Sequence, residues 1–473
     1  MQAVRDGAAV REGGVRPELE DLVSGSRGSW RVAAPPVGRS QPGRVLLRTR
    51  HRRLKRAITR YSQRPDRAWI ERQQVRRFNQ TWAYCLAEVP FYRAWRREHG
   101  LPERIDRPSA LRSFPPLTKE ILIARQDEIF QGGRIVDAYT TGGSTGQPTR
   151  YPRGADEAGH RWVDAYLGRH WAGIRPTDPS LLLWGHAHLF GSGPRGRVAQ
   201  ARRRVADAVM NITRLNAYDL SEPSLLAHYT ALRSHDPISL EGYTSAVFKL
   251  ARYIESNRLD LGRRPRRLRA VVLCAETASD ADIALVERVF RAPAVIEYGS
   301  AETGVLAMSR RYTRDIRVFW DSFTCLVDDD GELQVTTLNP RLFPLVHYAV
   351  GDRVVPSDMI DGNVLAFHAV LGRRQDVVQV AAARGVLDLS AILPVHILKS
   401  YPDIVGVQFR QVSPEDLRIY VEATRQLDLT DVARYFAREL SRDHPEFVPS
   451  SVNFTQISEP ARTTAGKHAL FVA

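Results

Sequence analysis

The sequence predicts an α/β protein, with a large N-terminal α/β unit followed by a small α+β unit. Two patterns and one length argument carry this expectation. Short β-type runs alternate with helical patterns between residues 134 and 350, and after Leu371 the alternation gives way to a strand, strand, helix, strand order. With 473 residues the chain is also too long for one ordinary core, so two or more domains are expected.

Taken in order, residues 1–43 mix Gly, Pro, Ser and Arg with little periodicity and are expected to be a mostly disordered tail. From Arg44 to Ala110 apolar residues recur at helical spacing, with an interruption at Val89, Pro90, Phe91 and Tyr92; this helical region opens the large unit, expected to span 44–371. Within that unit Ser180–Trp184, Ala270–Leu273 and Ala294–Glu297 read as strands, and Ser224–Ser234 and Ser279–Phe290 as helices. The remainder, 372–473, reads as strands near Val405–Val412 and Leu417–Thr424, a helix at Thr430–Arg442 and a last strand near Val452–Ile457. No internal repeat is visible.

Composition narrows the function classes. No stretch approaches the 18 or so consecutive apolar residues of a membrane span, and the first 30 residues carry Arg5, Asp6, Arg11, Glu12, Glu18, Glu20 and Asp21 with no apolar core. A soluble, cytoplasmic protein is the expectation. Cys85, Cys274 and Cys325 are too few and too scattered for a disulfide framework or a cysteine zinc cluster. The net charge of +15 is concentrated: between Arg44 and Arg77, 13 Arg or Lys residues stand against only Asp66 and Glu71. Arg52, Arg53, Lys55, Arg56, Arg60 and Arg64 fit one solvated face of a helix that also contains Leu54, Ile58 and Tyr61, and no nucleic-acid motif accompanies them, so nucleic acid is not the expected partner. Only five of the 68 basic residues are lysine, at positions 55, 119, 249, 399 and 467, which makes a lysine in a motif informative.

The stretch from Tyr139 to Thr149 is the richest in chemistry. Gly142, Gly143 and Gly146 let the backbone turn tightly and bring its N–H groups to an anion, while Thr140, Thr141, Ser144 and Thr145 add hydroxyl donors. It is a phosphate cradle in composition, without the Lys-Ser or Lys-Thr of a Walker loop. Gly142-Gly143-Ser144-Thr145-Gly146 also matches the Gly-x-Ser-x-Gly nucleophile elbow, which would make Ser144 the attacking residue of a serine hydrolase. Pro152 interrupts the helix that an elbow requires.

On these and the following motifs, the sequence resembles the adenylate-forming superfamily of acyl-CoA synthetases, and more closely the phenylacetate-CoA ligase branch with its capsule-biosynthesis-type relatives, over most of the chain. Thr141 to Pro148 is similar to the family's Thr-Ser-Gly-Ser-Thr-Gly-x-Pro loop, with Gly142 in place of its first serine. Val89-Pro-Phe-Tyr92 and Phe114-Pro-Pro-Leu-Thr-Lys119 resemble phrases of that branch. The resemblance implies that Tyr298 of Tyr298-Gly299-Ser300-Ala301-Glu302 packs on adenine and that Glu302 holds magnesium. It also implies that Ala275-Glu276 lines the adenine pocket and that Asp352 and Arg373 take the ribose hydroxyls. Gln375-Asp376 would form the hinge of a small C-terminal lid, and Lys467, after Gly466, would be the catalytic lysine. ATP and Mg2+ follow as implied cofactors, a carboxylic acid, expected to be aromatic, as substrate, and coenzyme A, a carrier protein or an amine as acceptor. The chemistry asks for such parts: a carboxylate attacking the α-phosphate approaches a highly charged centre, which needs a metal on the oxygens and a cation at the meeting point.

The sequence departs from the family at Gln375, where its first hinge aspartate stands, and at Ala381-Ala382-Ala383, where a glycine usually lets the pantetheine thiol approach; thiol and amine acceptors therefore both stay open. For the acid, His186 and His188 after the strand at Ser180–Trp184 could steer the carboxylate, and Trp162, Glu241, Gly242 and Tyr243 could line the acyl pocket or belong to the core. The two histidines lack an obvious third ligand for zinc.

Overall fold

A computed structural model describes residues 41–63, 65–130, 137–140, 150–154, 156–184, 194–217, 219–262, 267–373, 377–401, 403–461 and 469–472. The chain opens with α1 (Gln41–Ser62), α2 (Arg67–Glu88) and α3 (Pro90–His99). The expected interruption is a one-residue break: Val89 is extended, Pro90 takes the first position of α3 where a missing N–H costs nothing, and Gly100 ends that helix at φ +63°. The turn Pro108–Ser113, α4 (Lys119–Ala124) and α5 (Gln126–Ile129) follow, and Phe78, Trp82, Phe91, Tyr92, Phe114 and Phe343 bury a common aromatic core.

An antiparallel hairpin, β1 (Asp137–Thr140) and β2 (Arg150–Arg153), comes next and leads into α6 (Glu157–Trp171). The alternating region holds β3 (Ser180–Trp184), α7 (Pro194–Met210), β4 (Ile212–Asn216), α8 (Glu222–His235), β5 (Ser239–Tyr243), α9 (Thr244–Ser256), β6 (Ala270–Cys274) and α10 (Asp280–Phe290). Six strands then run on without a helix: β7 (Ala294–Ser300), β8 (Gly304–Ser309), β9 (Ile316–Val318), β10 (Phe323–Val327), β11 (Glu332–Thr337) and β12 (Tyr348–Ile360), joined by β13 (Asn363–Arg373). Together β3 to β13 form one sheet in the order β10-β11-β12-β13-β9-β8-β7-β6-β5-β3-β4. Pairing is parallel from β4 to β7 and antiparallel from β7 onward. β5 and β6 are buried at every position, as expected of parallel strands covered on both faces. The antiparallel half curls, so that Tyr298 of β7 meets Phe367 of β13 at 5.3 Å although β8 and β9 lie between them in sheet order.

After residue 376 the chain builds β14 (Val377–Ala381), β15 (Val386–Ser390), α11 (Ile392–Lys399), β16 (Ile404–Ser413), β17 (Asp416–Ala423), α12 (Leu429–Asp443) and β18 (Val452–Ile457) around a separate core centred on Phe409, Ile419 and Phe436. This unit touches the large sheet's helices through Lys399, which donates to both carboxylate oxygens of Asp282 at 3.1 Å, and through the ion pair Lys249–Glu422. Two of the five lysines are thus used between the two cores.

The strands expected at Ser180–Trp184 and Val452–Ile457 form with those bounds. The basic helix needs correcting. α1 begins at Gln41, inside the expected tail; on the face read as solvated, Arg52, Lys55 and Arg56 are exposed as expected and Arg64 lies outside the described residues, but Arg60 ion-pairs with Asp321, Tyr61 donates to Asp321 Oδ1 at 2.9 Å, and Arg50, outside that face, is buried. Arg77 adds a bond to the Asp321 carbonyl at 2.6 Å. The acid that draws these groups in lies some 260 residues away in sequence, beyond the reach of helical periodicity. Among the described residues no helix is long and apolar enough to cross a membrane.

Candidate active site

The β7–β8 hairpin organises the site. Ser300 pairs with Gly304, and a Cβ on Gly299 would sit 2.1 Å from the Gly304 carbonyl oxygen, so the glycine after Tyr298 is a steric requirement. Gly304 itself sits at φ +75°. Ser300 N donates to Thr303 Oγ1 at 3.0 Å and Thr303 N to Ser300 Oγ at 3.2 Å, which closes the turn carrying Glu302. Tyr298 donates its hydroxyl to Asp352 Oδ2 at 2.8 Å, and Asp352 stands opposite Arg373 in the β12–β13 register. Three residues named from motifs 75 positions apart are thereby neighbours.

Two arginines hold the Glu302 turn from outside. Arg161 of α6 donates to the carbonyls of Ala301 (3.0 Å) and Glu302 (2.8 Å), and Arg341 donates to those of Glu302 (2.7 Å) and Thr303 (2.8 Å). Glu157, also buried on α6, accepts from Arg161 Nε at 3.1 Å and lies 3.3 Å from Arg341 Nη1. Sequence reasoning missed all three, since nothing marks Arg161 or Arg341 among 63 arginines. Glu302 is 8% exposed as a residue, its carboxylate oxygens are not among the fully enclosed polar atoms, and they take no partner among the described residues. A magnesium ion takes one or two protein carboxylates and completes its shell with water and substrate phosphate, so this lone hard donor fits it. Among the described residues no group of three or more His, Cys, Asp or Glu is set to hold a metal.

Other expected residues lie elsewhere. Ala275 adopts φ +66°, a left-handed conformation that costs an alanine about 1 kcal/mol. Glu276 Oε2 accepts from Ser245 N at 2.7 Å, capping the start of α9, while Oε1 is buried with no partner. Tyr243 is a core residue whose ring lies tilted at 4.4 Å from that of Trp184, Trp162 packs on Tyr166, and Glu241 bonds to Arg169 at 2.6 Å, so none of these reads as an open acyl-pocket wall. Thr141, Gly142, Gly143, Ser144, Thr145 and Gly146, together with His186, His188, Gln375, Asp376 and Lys467, lie outside the described residues. Their flanks are informative. Residues 141–149 join β1 to β2, and among the described residues the next helix starts at Glu157, after β2. On either side of 462–468, Ala461 and Ala469 are bonded to each other at 3.1 Å, and the buried Gln408 amide donates to both their carbonyls at 2.8 and 2.6 Å. Gln408 is a fourth residue that no motif announced.

No family model matches the chain. Protein CapK of Staphylococcus aureus is 21% identical over 378 residues, covering 78% of this chain and 81% of that protein. Among solved structures, 2-hydroxyisobutyryl-CoA ligase in the postadenylation state with 2-HIB-AMP gives a TM-score of 0.64 at 15% identity, over 86% of this chain and 90% of that one. The chain has the fold of the adenylate-forming CoA ligases. The same ligase in the thioesterification state gives 0.51 at 18% identity and the same coverage. The anthranilate CoA ligase AuaEII with anthranoyl-AMP gives 0.50 at 15% identity, over 71% of this chain and 66% of that one.

Proposed function

We propose that this chain is an ATP-dependent, AMP-forming ligase that activates a carboxylic acid, expected to be aromatic, and passes the acyl group to a thiol or an amine. The observation that supports this most is the meeting of Tyr298, Asp352 and Arg373 on three strands, in a fold shared with ligases crystallised with acyl-AMP. In the first step a carboxylate oxygen attacks the α-phosphorus of ATP, the bond to the bridging oxygen of the β-phosphate breaks, and pyrophosphate leaves. In the second a thiol sulfur or amine nitrogen attacks the acyl carbon, the carbon–oxygen bond to AMP breaks, and the nucleophile releases its proton.

In this reading Tyr298 packs on adenine, Glu276 Oε1 accepts from its amino group, and Asp352 with Arg373 holds the ribose hydroxyls. The hydroxyl and N–H donors from Thr141 to Gly146 wrap the phosphates. Magnesium on Glu302 supplies positive charge against the polyphosphate. Lys467 brings a cation to the attacking carboxylate, and His186 and His188 orient the acid. The unit from 372 onward turns about Gln375-Asp376 between the two steps. A cytoplasmic setting with ATP and reduced thiols belongs to the same reading.

Exchange of labelled pyrophosphate into ATP across a panel of carboxylic acids tests it. Exchange is expected only with a matching acid, and Lys467→Ala should lower it by at least about 10²-fold. Exchange that survives unchanged in that variant refutes the lysine's role, and an absence of exchange with every acid counts against the ligase itself. Supplying coenzyme A or an amine after adenylation then separates the acceptors.

A further inference from the structure

The segment Phe114-Pro115-Pro116-Leu117 takes no part in the Tyr298–Asp352 site. It crosses the start of β12, where Leu117 N donates to the His347 carbonyl at 3.0 Å and Ala349 N donates to the Leu117 carbonyl at 3.0 Å. With the turn between β10 and β11 it walls a solvent-open cavity of about 430 Å³, within the size range of sites for small organic molecules. Asp352 stands further on in β12, roughly 16 Å of extended chain beyond His347, so this cavity is not the nucleotide-side cleft.

His347 lines the cavity in a constrained state. Its backbone is left-handed at φ +51°, held by the bond from Leu117 and by its own N–H donating to Thr336 Oγ1 at 2.9 Å. Its Nδ1 lies 2.6 Å from the Phe114 carbonyl; a carbonyl only accepts, so Nδ1 carries the proton and Nε2 keeps a lone pair. The residue is 5% exposed, yet Nε2 has no hydrogen-bond partner among the described residues. Burial holds the imidazole below its ordinary pKa, which keeps that lone pair available, and both Arg112 and Asp328 lie close enough to act on its charge.

The rest of the lining is poor in donors and rich in acceptors. Pro115 and Pro116 have no N–H, and Arg112 donates through Nη1 to the Val327 carbonyl at 2.9 Å. Asp328 Oδ1 accepts from the N–H groups of Asp330 and Glu332, while its Oδ2 takes no partner among the described residues. The Gln334 side chain, on a residue 7% exposed, takes none there either. Two carboxylates, Asp328 and Asp329, against one guanidinium make this cavity acidic on a chain whose net charge is +15. Acceptors withdrawn from bulk water and left unpaired are unfavourable unless a guest supplies the donors.

We propose that this cavity is a second binding site, separate from the Tyr298–Asp352 site, for an organic ammonium ion, whose N–H donors pair with His347 Nε2 and the Asp328 carboxylate and whose apolar body lies along Phe114 and Pro115. An ammonium matches both the acceptors and the sign of the charge. A neutral alcohol satisfies only the first, and a carboxylate satisfies neither. The assignment does not depend on the ligase reading.

Binding of benzylamine, benzyl alcohol and benzoate to the full chain, measured by calorimetry, tests it. Benzylamine, protonated at pH 7, should bind at least about 10-fold more tightly than benzyl alcohol, the difference expected of hydrogen bonds to a charged group, and benzoate should not bind. Asp328→Asn keeps the Oδ1 acceptor that the turn needs, and it should weaken benzylamine by about 10-fold; His347→Phe should do the same, while Asp352→Asn should leave the affinity unchanged. Where His347→Phe does not fold, Asp328→Asn and Gln334→Leu carry the test. Equal affinity for the amine and the alcohol, or benzylamine binding unaltered in Asp328→Asn, would overturn the proposal, and so would a loss in Asp352→Asn alone. No binding by benzylamine or by the smaller propylamine means a cavity that holds water only, which overturns it as well.

Discussion

Two arginine networks meet α6, and they are opposites in charge. Near its end, Arg169 carries two carboxylates, Glu241 of β5 at 2.6 Å and Glu297 of β7 at 2.7 Å. Burial works against its charge, but those two acids hold its pKa well above the ordinary value, while burial pushes the Glu297 carboxyl up. Near the start of α6, Glu157 serves two arginines, and among the described residues four further bonds from their guanidinium groups go to main-chain carbonyls. The acid-rich network ties side chains of regular elements to one another and so holds the sheet to its helix. The base-rich one directs its donors at a loop, which is the pattern of a group that places something else.

The largest effect that separates them should come from Arg169→Met, which strands two buried carboxylates. A loss of about 3–5 kcal/mol in urea unfolding is expected, against a much smaller loss for Arg161→Met. Equal losses would erase the distinction drawn here.

The second difference is in pH. His160 has a folded-state pKa of about 4, below the ordinary 6.5, so it contributes stability that is fully present above pH 6.5 and is lost as pH falls towards 4. Glu297 is shifted upward, so its contribution runs the other way: it is present below the usual glutamate range and fades as pH rises through the folded value. His160→Gln should therefore remove about 1–3 kcal/mol of the acid-side loss between pH 6.5 and 4, whereas Glu297→Gln should flatten the decline that sets in as pH rises above the usual glutamate range. Unfolding curves collected across that range check both signs, and a His160→Gln profile parallel to wild type would rule out the first.

The smallest effect concerns β7 itself, where neighbouring residues point to opposite faces. Glu297 serves the α6 side and Tyr298 reaches Asp352 on the other. Tyr298→Phe should cost only the hydrogen bond, about 0.5–1.5 kcal/mol, and appear as weaker binding of AMP and ATP alike with the Arg169 network intact. A drop in AMP affinity well beyond tenfold would mean that Asp352 depends on Tyr298 for more than one bond.

Much of this architecture was legible beforehand, for local reasons. Ser180–Trp184 reads as a strand because a short apolar run bounded by polar turns has few other places to go, and both its faces are covered as that predicts. The Tyr298 to Glu302 element was named from its resemblance to a family motif, and the hairpin gives its glycine a physical reason by leaving no room for a side chain at Gly299. What Glu276 does locally was not legible: one of its oxygens is spent on the start of α9, a bond to Ser245 N that its motif does not announce. Tyr243 and Glu241 were not resolvable from sequence, since a core tyrosine and a pocket tyrosine have the same neighbours in the chain.

The sequence alone determined the alternation of strands and helices as far as Phe290 and the glycine-dependent turns, because each depends on residues within a few positions of one another; the alternation expected on to 350 does not hold, since only strands follow from Ala294 to Arg373. Tertiary structure decided which arginines matter. Glu157, Arg161 and Arg341 meet across more than 180 positions, and Arg60 finds Asp321 across 261, in a chain with 63 arginines to choose from. A guanidinium takes its role from the acceptors that packing brings within 3 Å, and no spacing along the chain encodes that distance.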